Sequence, residues 1–274
     1  MKVLASVNIR QYERALQSLG EYYRTIEMGL QVVLQNRPPG VAVERSTEFT
    51  RLAAVVFGSD QGLCGQFNEQ IASYAIQQMN QLPGRPEDRV VVALGARVTA
   101  RLEEAGQPIE ESLAVPGSLA SVTPMVQEIL MKLERWRANR GVDHVYLFFN
   151  RPLSGATYRP STRHLLPVNQ SLFQRVEQQP WPSRVLPTYT MDWDRLLSAL
   201  IYQYLFVSLY RTFVESLASE NSSRIAAMQV AEKNVEEHLT ELEALFHNRR
   251  QSSITNEILD ITSGFEALAA EWKK

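Results

Sequence analysis

The sequence predicts an α/β fold in which a small doubly wound, Rossmann-like α/β domain is inserted between two long helices that pair as an antiparallel coiled coil. In the middle of the chain, short β-branched or aromatic runs alternate with segments of helical length. Near both ends, apolar residues recur at intervals of three and four. We therefore expect an N-terminal coiled-coil helix over residues 1–36, an α/β domain over residues 51–187 and a C-terminal coiled-coil helix over residues 192–274.

The N-terminal segment is predicted to form one long helix. It contains no proline and only two glycines between residues 3 and 35, and Tyr12, Leu19, Ile26 and Val33 follow one another at seven-residue intervals. Such spacing is typical of a helix with one side packed on another helix. The sequence NRPPG at residues 36–40 ends the pattern, because a pair of prolines cannot continue a helix.

The central segment is predicted to alternate strands with helices. Three runs have the continuous apolar character of buried parallel strands: residues 51–59, 88–95 and 143–150. Helices are expected between them, over residues 67–81, 96–105 and 122–140. The runs IEESLAVP at residues 109–116 and HLLPV at residues 164–168 are candidates for additional strands.

The C-terminal segment is predicted to form a very long helix that begins after Asp192, a suitable N-cap. No glycine or proline occurs between residues 188 and 263. A helix of about 70 residues would be on the order of 100 Å long, so the shorter N-terminal helix can pair with only part of it. The remainder needs another partner. Polar residues within the seam, such as Asn221 and Arg224, would more often fix the register than take part in chemistry.

Composition argues against several classes of partner. The chain has 28 basic and 30 acidic residues, and a formal charge of -2 gives no reason to expect nucleic-acid binding. The most apolar window, residues 196–210, is shorter than the roughly 20 residues that span a bilayer, so we expect no membrane insertion. The N-terminus carries charged residues too early for a secretory signal.

The stretch FGSDQGLCGQFN, at residues 57–68, is the strongest local motif and is predicted to be a structural corner. It lacks the Gly-Lys-Ser/Thr ending of a phosphate-binding loop and the Gly-x-Ser-x-Gly spacing of a nucleophile elbow. We expect Gly62 and Gly65 to shape a tight turn from strand to helix around a buried Cys64. No catalytic residue, cofactor or metal is expected, because the four histidines show no metal-binding spacing. A scaffolding protein is favoured over an enzyme.

Three segments resemble the γ subunit of the F-type rotary ATP synthase. SDQGLCG, at residues 59–65, is similar to the family's Ser-Asp-Arg-Gly-Leu-Cys-Gly. SENSSRIAAM at residues 219–228 and NRRQSSITNEILDITSG at residues 248–264 are similar to its Ser-Glu-x-x-x-Arg-x-x-Ala-Met and Asn-x-x-Arg-Gln-x-x-Ile-Thr-x-Glu-Ile segments. The resemblance spans the chain and is weakest in the middle.

The resemblance implies a non-catalytic central rotor that couples ion flow to ATP synthesis or hydrolysis by rotation. The implied partners are the α and β subunits of the catalytic hexamer, the ε subunit and the c-subunit ring, at the cytoplasmic face of a membrane. The resemblance also implies which residues lie in or near the hexamer cavity, and two of them, Arg10 and Arg14, are assigned from their charge. The full set is Arg10, Arg14, Arg224, Met228, Ile254, Thr255, Glu257, Ile258 and Ile261. The alternative is a coiled-coil scaffold that does not rotate.

The sequence departs from the family pattern at several positions. Gln61 stands where the family has arginine, and Val7 stands where it has lysine. The chain also begins roughly five or six helical turns later than a typical γ subunit, which predicts a single helix at the upper end of the shaft. The N-terminal sequence resembles that of the divergent, sodium-translocating branch of the family.

Overall fold

The structure is a computed structural model that describes residues 2–39, 51–153, 157–182, 184–185 and 187–271, except for the side chains of Gln170 and residues 266–271. It divides into two compact units, Met1–Ala227 and Met228–Lys274. One continuous helix contributes to both units, because it extends from Trp193 to Glu271.

The first unit contains all the strands and most of the helices of the described chain. In chain order the elements are α1 (Lys2–Gln35), β1 (Leu52–Phe57), α2 (Phe67–Gln81), a 3₁₀ turn (Pro86–Asp88), β2 (Val90–Leu94), α3 (Ala96–Glu104), β3 (Glu111–Leu113), α4 (Leu119–Arg140), β4 (His144–Pro152), β5 (Tyr158–Leu166), α5 (Gln170–Gln178) and α6 (Trp193–Glu271).

The five strands form one sheet in the order β3-β2-β1-β4-β5. The first four strands are parallel, and β5 pairs with β4 in the antiparallel direction. Every residue of β1 and β2 is buried, which explains why both strands are continuous apolar runs in the sequence. The predicted doubly wound α/β fold is confirmed.

Helices cover both faces of the sheet. On one face, α2 and α3 pack Ile71, Met79, Val98 and Leu102 against the strands. On the other face, α4 and α6 pack against the strands with Tyr12 of α1, and the Phe57 and Phe213 rings meet edge to face with their centroids 4.8 Å apart. The strands of the α/β domain therefore share one core with the parts of α1 and α6 around Tyr12 and Phe213.

Helices α1 and α6 are antiparallel within the first unit. Trp193, at the start of α6, donates its indole N–H to the carbonyl of Val33 at 2.8 Å, near the end of α1. Further along α6, the rings of Tyr204 and Tyr23 lie 5.6 Å apart. Residue numbers therefore rise along one helix as they fall along the other. The predicted antiparallel pairing is confirmed.

Helix α5 was not predicted from the sequence, and it packs against the end of α1. Arg175 forms an ion pair of 2.8 Å with Glu27, and Gln35 donates to the carbonyl of Glu177 at 3.1 Å. Leu172, Phe173 and Val176 lie in a core cluster with apolar residues of α1 and α6. This short helix therefore broadens the region in which the two long helices are held together.

Candidate functional site

The loop between β1 and α2 is held in shape by a network around Ser59 and Asn68. The Asn68 side chain accepts a hydrogen bond from the backbone N–H of Ser59 at 2.9 Å and donates to the Ser59 hydroxyl at 2.8 Å. Cys64 is buried, and its sulfur lies 3.4 Å from the Asn68 amide nitrogen. Leu63 and Gly65 adopt the left-handed backbone conformation, with φ values of 60° and 57°. The loop is a tight corner in which Cys64 packs against polar side chains.

Helix α6 is attached to this corner by serine side chains. The Ser223 hydroxyl donates to the carbonyl of Cys64 at 2.6 Å, and the Ser219 hydroxyl donates to the carbonyl of Asn150 at 2.8 Å. Asn150 in turn donates its side-chain N–H to the carbonyl of Phe67 at 3.0 Å. Two of the motifs that carry the family resemblance, SDQGLCG and SENSSR, are therefore in direct contact.

A buried ion pair lies beside these contacts. The guanidinium of Arg224 is 2.6 Å from the Glu220 carboxylate, and each side chain is only 9% exposed. Burial raises the pKa of Glu220, and the negative charge of the Asp60 carboxylate raises it further. The hydrogen bond and the positive charge of Arg224 lower the pKa and so oppose this rise. The pKa of Tyr12 is also raised, first by burial and then by the charge of Glu220.

The same guanidinium connects the ion pair to the corner. Arg224 Nη2 lies 3.4 Å from the carbonyl oxygen of Gln61, which also accepts the Ser59 hydroxyl at 2.9 Å. Because these contacts use the backbone of Gln61, they do not depend on the side chain that departs from the family pattern. We define the buried polar junction as Ser59, Gln61, Cys64, Asn68, Ser219, Glu220, Ser223 and Arg224.

The junction is suited to fixing one element against another. Its hydroxyl groups donate to carbonyl oxygens or take part in the Ser59–Asn68 network, so none of them is paired with a general base. Elsewhere, His144 Nδ1 and His164 Nε2 approach to 3.2 Å, a pair that the sequence did not predict. Among the residues that the structure describes, no group of three or more histidines, cysteines and carboxylates is placed to hold a metal ion.

The second unit carries a row of exposed apolar side chains on α6. Their exposed fractions range from 48% for Ile254 to 74% for Phe265. We define the distal stripe as Val235, Leu239, Leu242, Phe246, Ile254, Ile258, Ile261 and Phe265. Large contiguous apolar surfaces are rare on soluble monomers and usually mark an interaction site. The distal stripe is therefore the candidate partner surface.

The structure separates the predicted contact residues into different environments. Ile254, Thr255, Glu257, Ile258 and Ile261 are all exposed on or beside the distal stripe. Met228 is partly buried at the start of the second unit, whereas Arg224 belongs to the buried polar junction.

The two arginines assigned from charge lie on α1. Arg10 and Arg14 are exposed, and neither forms an ion pair with another residue in the described part of the chain. Both guanidinium groups are therefore available to an acidic partner. Their contact with such a partner remains a prediction.

Sequence reasoning did not identify Ser219, Glu220 or Ser223 as a group. Their spacing of one and three residues indicates only that they lie on neighbouring faces of a helix. Their common role becomes visible once the fold brings the corner after β1 against α6.

Within the described residues, none of the helices is both long enough and apolar enough to cross a lipid bilayer.

The sequence matches known proteins over nearly its whole length. Residues 1–268 match the family model described as ATP synthase. The chain is similar to the ATP synthase gamma chain of Glaesserella parasuis serovar 5, with 27% identity over 222 residues that cover 81% of this chain and 75% of the relative. It is also similar to the ATP synthase gamma chain of Cupriavidus necator, with 23% identity over 269 residues, 98% of this chain and 92% of the relative.

The fold is similar to that of chains in solved mitochondrial assemblies. A chain in the Euglena gracilis mitochondrial ATP synthase structure of OSCP, F1 and c-ring superposes with a TM-score of 0.59 at 15% identity, covering 98% of this chain and 97% of that chain. A chain in the Tetrahymena thermophila mitochondrial ATP synthase central stalk and c-ring structure superposes with a TM-score of 0.58 at 17% identity, covering 85% and 97%.

Proposed function

The chain belongs to the ATP synthase family as a γ-type, central-stalk rotor subunit, and from that premise we propose that the distal stripe turns inside a hexamer of α and β subunits. The observation that carries this proposal is the exposure of the distal stripe, whose eight members are among the large apolar side chains exposed in the second unit. An interior lined with apolar groups would cover them while the shaft rotates.

The proposed mechanism is mechanical. A shaft without threefold symmetry presents a different surface to each of three β subunits at any moment, which biases each of them toward a different nucleotide affinity. Rotation exchanges these states and so couples ion flow to ATP synthesis or hydrolysis. We propose that this chain is itself non-catalytic, because its corner after β1 lacks a phosphate-binding sequence and its hydroxyl groups have no neighbouring base.

Within the chain, the buried polar junction would transmit torque between the α/β domain and α6. Contacts through hydrogen bonds of 2.6 and 2.8 Å resist sliding of the helix over the sheet more than apolar packing alone, because hydrogen bonds are directional. The two units then have distinct tasks, attachment for the first and contact with the hexamer for the second.

We propose further partners and a location on the basis of family membership. Both solved assemblies that contain a similar chain include a c-ring, with the central stalk in one and with OSCP and F1 in the other. The first unit is therefore proposed to contact the c-subunit ring and the ε subunit. The complex would lie at the cytoplasmic face of a membrane. Assignment to the sodium-translocating branch remains a prediction and is tested by the ion dependence of ATP synthesis in the assembled enzyme.

The proposed contact is tested by assembly with the α and β subunits of the same organism. The full chain is expected to form a complex with ATPase activity, and a chain that ends before Ile254 is expected to lose most of that activity because half of the distal stripe is absent. Replacing Ile258 with aspartate should weaken assembly by at least about tenfold, since burying an unpaired carboxylate costs more than the roughly 1.4 kcal/mol that corresponds to a factor of ten.

Asn256→Asp is the matched control, because it adds a charge to the same turns of α6 but lies off the distal stripe. It is expected to assemble like the unmodified chain. If Ile258→Asp and Asn256→Asp both assemble normally, the distal stripe is not the hexamer contact. If the unmodified chain does not join the hexamer, the rotor proposal fails and the coiled-coil scaffold is favoured.

A further inference from the structure

Part of the apolar pattern in the second unit is self-complementary. Val235 and Ile258 are equally distant from the point midway between Phe246 and His247, and so are Leu239 and Ile254. Met228 and Phe265 are also centred on this point, whereas Leu242 would face Gln251 and Ile261 would face Glu232. A second copy of the same helix, laid antiparallel about this centre, would therefore place Val235 opposite Ile258 and Leu239 opposite Ile254.

The apolar pattern changes register near this centre. The interval from Phe246 to Ile254 is eight residues, one more than a heptad. In the twofold arrangement this interval of one copy would face residues 239–247 of the other copy, so the two breaks would lie on either side of the centre.

Six of the charged residues beside the distal stripe follow the same symmetry, whereas Glu232, Glu237, Glu241 and Arg249 have no charged counterpart about this centre. Glu243 and Arg250 are centred on the same point, so each Glu243 would face an Arg250 of the other copy. Lys233 and Asp260 form a second pair of opposite charges about this centre. Glu236 and Glu257 form one pair of like charges. Opposite charges across a helical seam favour one orientation of the partner.

The length of the surface is sufficient for a stable helix pair. From Met228 to Phe265 the helix spans 38 residues, which at a rise of about 1.5 Å per residue is roughly 57 Å. An apolar pattern sustained over about three to four heptads indicates a coiled coil, and this segment exceeds that length, with one interruption between Phe246 and Ile254. In a twofold arrangement each contact also occurs twice, because residue i of the first copy contacts residue j of the second and residue j of the first contacts residue i of the second.

From these features we propose that the free chain forms a homodimer in which two copies of the distal stripe pair as an antiparallel coiled coil centred between Phe246 and His247. The same side chains are exposed in the isolated chain, so no rearrangement of the first unit is required. Because the dimer covers the surface proposed for the hexamer, the two occupants exclude each other. The dimer would then be a form that the chain adopts before assembly.

The first test is the mass of the purified full chain in solution. Sedimentation equilibrium in the micromolar range is expected to give twice the 31.1 kDa mass of one chain. Ile258→Asp should shift the equilibrium toward monomer by at least tenfold in dissociation constant, whereas Asn256→Asp should leave it unchanged. Both positions are exposed in the isolated chain, so neither change is expected to unfold it.

The second test determines orientation and register with cysteines. A Leu239→Cys chain and an Ile254→Cys chain are oxidised separately and then as a mixture. The antiparallel register predicts a disulfide-linked dimer in the mixture and little from either chain alone, because identical positions are far apart. The native Cys64 is buried and serves as an internal control. A mixture of Leu239→Cys with Asn256→Cys, which is off the stripe, is expected to cross-link poorly.

Specific outcomes would overturn the inference. A monomeric mass over the whole concentration range rules out the dimer, and cross-linking of Leu239→Cys with itself indicates a parallel pair. A trimer or larger species also contradicts the proposed pairing. All these experiments use the chain alone, so their failure would leave the proposed rotor function untouched, and a failure to join the hexamer would not affect the dimer.

Discussion

Replacing Arg224 with methionine is expected to lower the free energy of unfolding of the chain by about 3–5 kcal/mol, the range found when one partner of a buried ion pair is removed. Methionine retains most of the side-chain volume, so the loss reflects charge and hydrogen bonding more than a cavity. Glu220 would remain buried beside Asp60 and Tyr12 without its compensating cation. The contact from Arg224 to the carbonyl of Gln61 would be lost as well.

The measurement is urea unfolding followed by tryptophan fluorescence. A chain with both Glu220→Met and Arg224→Met should regain most of the lost stability, because no unpaired charge then remains in the junction. Lys233→Ala is the exposed control: its ion pair with Glu237 involves side chains that are 76% and 62% exposed. That change is expected to cost about 0.5 kcal/mol or less. An Arg224→Met loss equally small would mean that the junction does not hold α6.

The pH dependence of the Arg224→Met loss follows from the raised pKa of Glu220. A carboxyl group whose folded pKa is above its ordinary value of 4.5 is most compatible with folding when it is protonated. The protonated Glu220 carboxyl group therefore contributes stability below its ordinary pKa of 4.5, and this contribution is lost as the pH rises through the folded pKa. Removing Arg224 removes the main opposing influence, so the difference between variant and unmodified chain should be largest at neutral pH and should shrink toward pH 4.5. The difference is the relevant quantity, since other carboxylates titrate in both proteins.

The central sheet was predictable because parallel strands in a doubly wound fold are buried on both faces. The runs that become β1 and β2 are therefore apolar at every position, and β4 is apolar from Val145 to Phe149. Helix α2 was predicted at residues 67–81, where the structure places Phe67–Gln81. The long C-terminal helix followed from the absence of glycine and proline, and it begins at Trp193, directly after the predicted cap.

Features that depend on distant contacts were not predictable from local patterns. Helix α5 has nine residues and polar flanks, and it is stabilised by α1 through pairs such as Arg175–Glu27. Strand β5 was predicted only as a short run at residues 164–168, because only one of its nine residues is fully buried and its alternation is interrupted by Pro160. Tyr22 of α1 also follows the spacing of three and four residues, between Leu19 and Ile26. Its side chain is nevertheless 45% exposed and donates to Gln203 at 2.9 Å.

The candidate site was predicted in part. The distal stripe is visible in the sequence, since exposed apolar residues on a helix keep their periodicity whether or not a partner is present. The family resemblance groups Arg224 with the cavity residues, but the structure gives it a partner within the chain, Glu220. A charge pattern on one helix cannot show which loop will be packed against it.

Replacing Gly95 with alanine is expected to destabilise the first unit by about 4 kcal/mol or more, which places it among exceptional single substitutions. The added Cβ would lie 2.6 Å from the carbonyl carbon of Ser59 and 2.7 Å from its nitrogen, and both are backbone atoms that cannot rotate away. Gly95 also has φ of +108°, a conformation in which alanine is strained. Its N–H donates to Leu113 at 2.8 Å, so the glycine itself is not free to move.

Gly106→Ala separates the two causes of this destabilisation. Gly106 has φ of +74°, and no atom lies within 4 Å of the position that an alanine Cβ would occupy there. Alanine at this position is therefore expected to cost only about 1–2 kcal/mol, all of it from backbone conformation. Urea unfolding of both variants would show the difference, which measures the steric contact with Ser59. Similar losses for the two variants would mean that the Ser59 backbone moves aside.

The Gly95 substitution should also weaken the buried polar junction, because Ser59 is part of it. A displaced Ser59 changes the position of the Gln61 carbonyl, to which both the Ser59 hydroxyl and Arg224 are bonded. We therefore expect Gly95→Ala and Arg224→Met to be non-additive, with a combined loss smaller than the sum of the separate losses by about 0.5–3 kcal/mol. Strict additivity would show that the turn after β2 and the attachment of α6 are independent, and that the corner does not connect them.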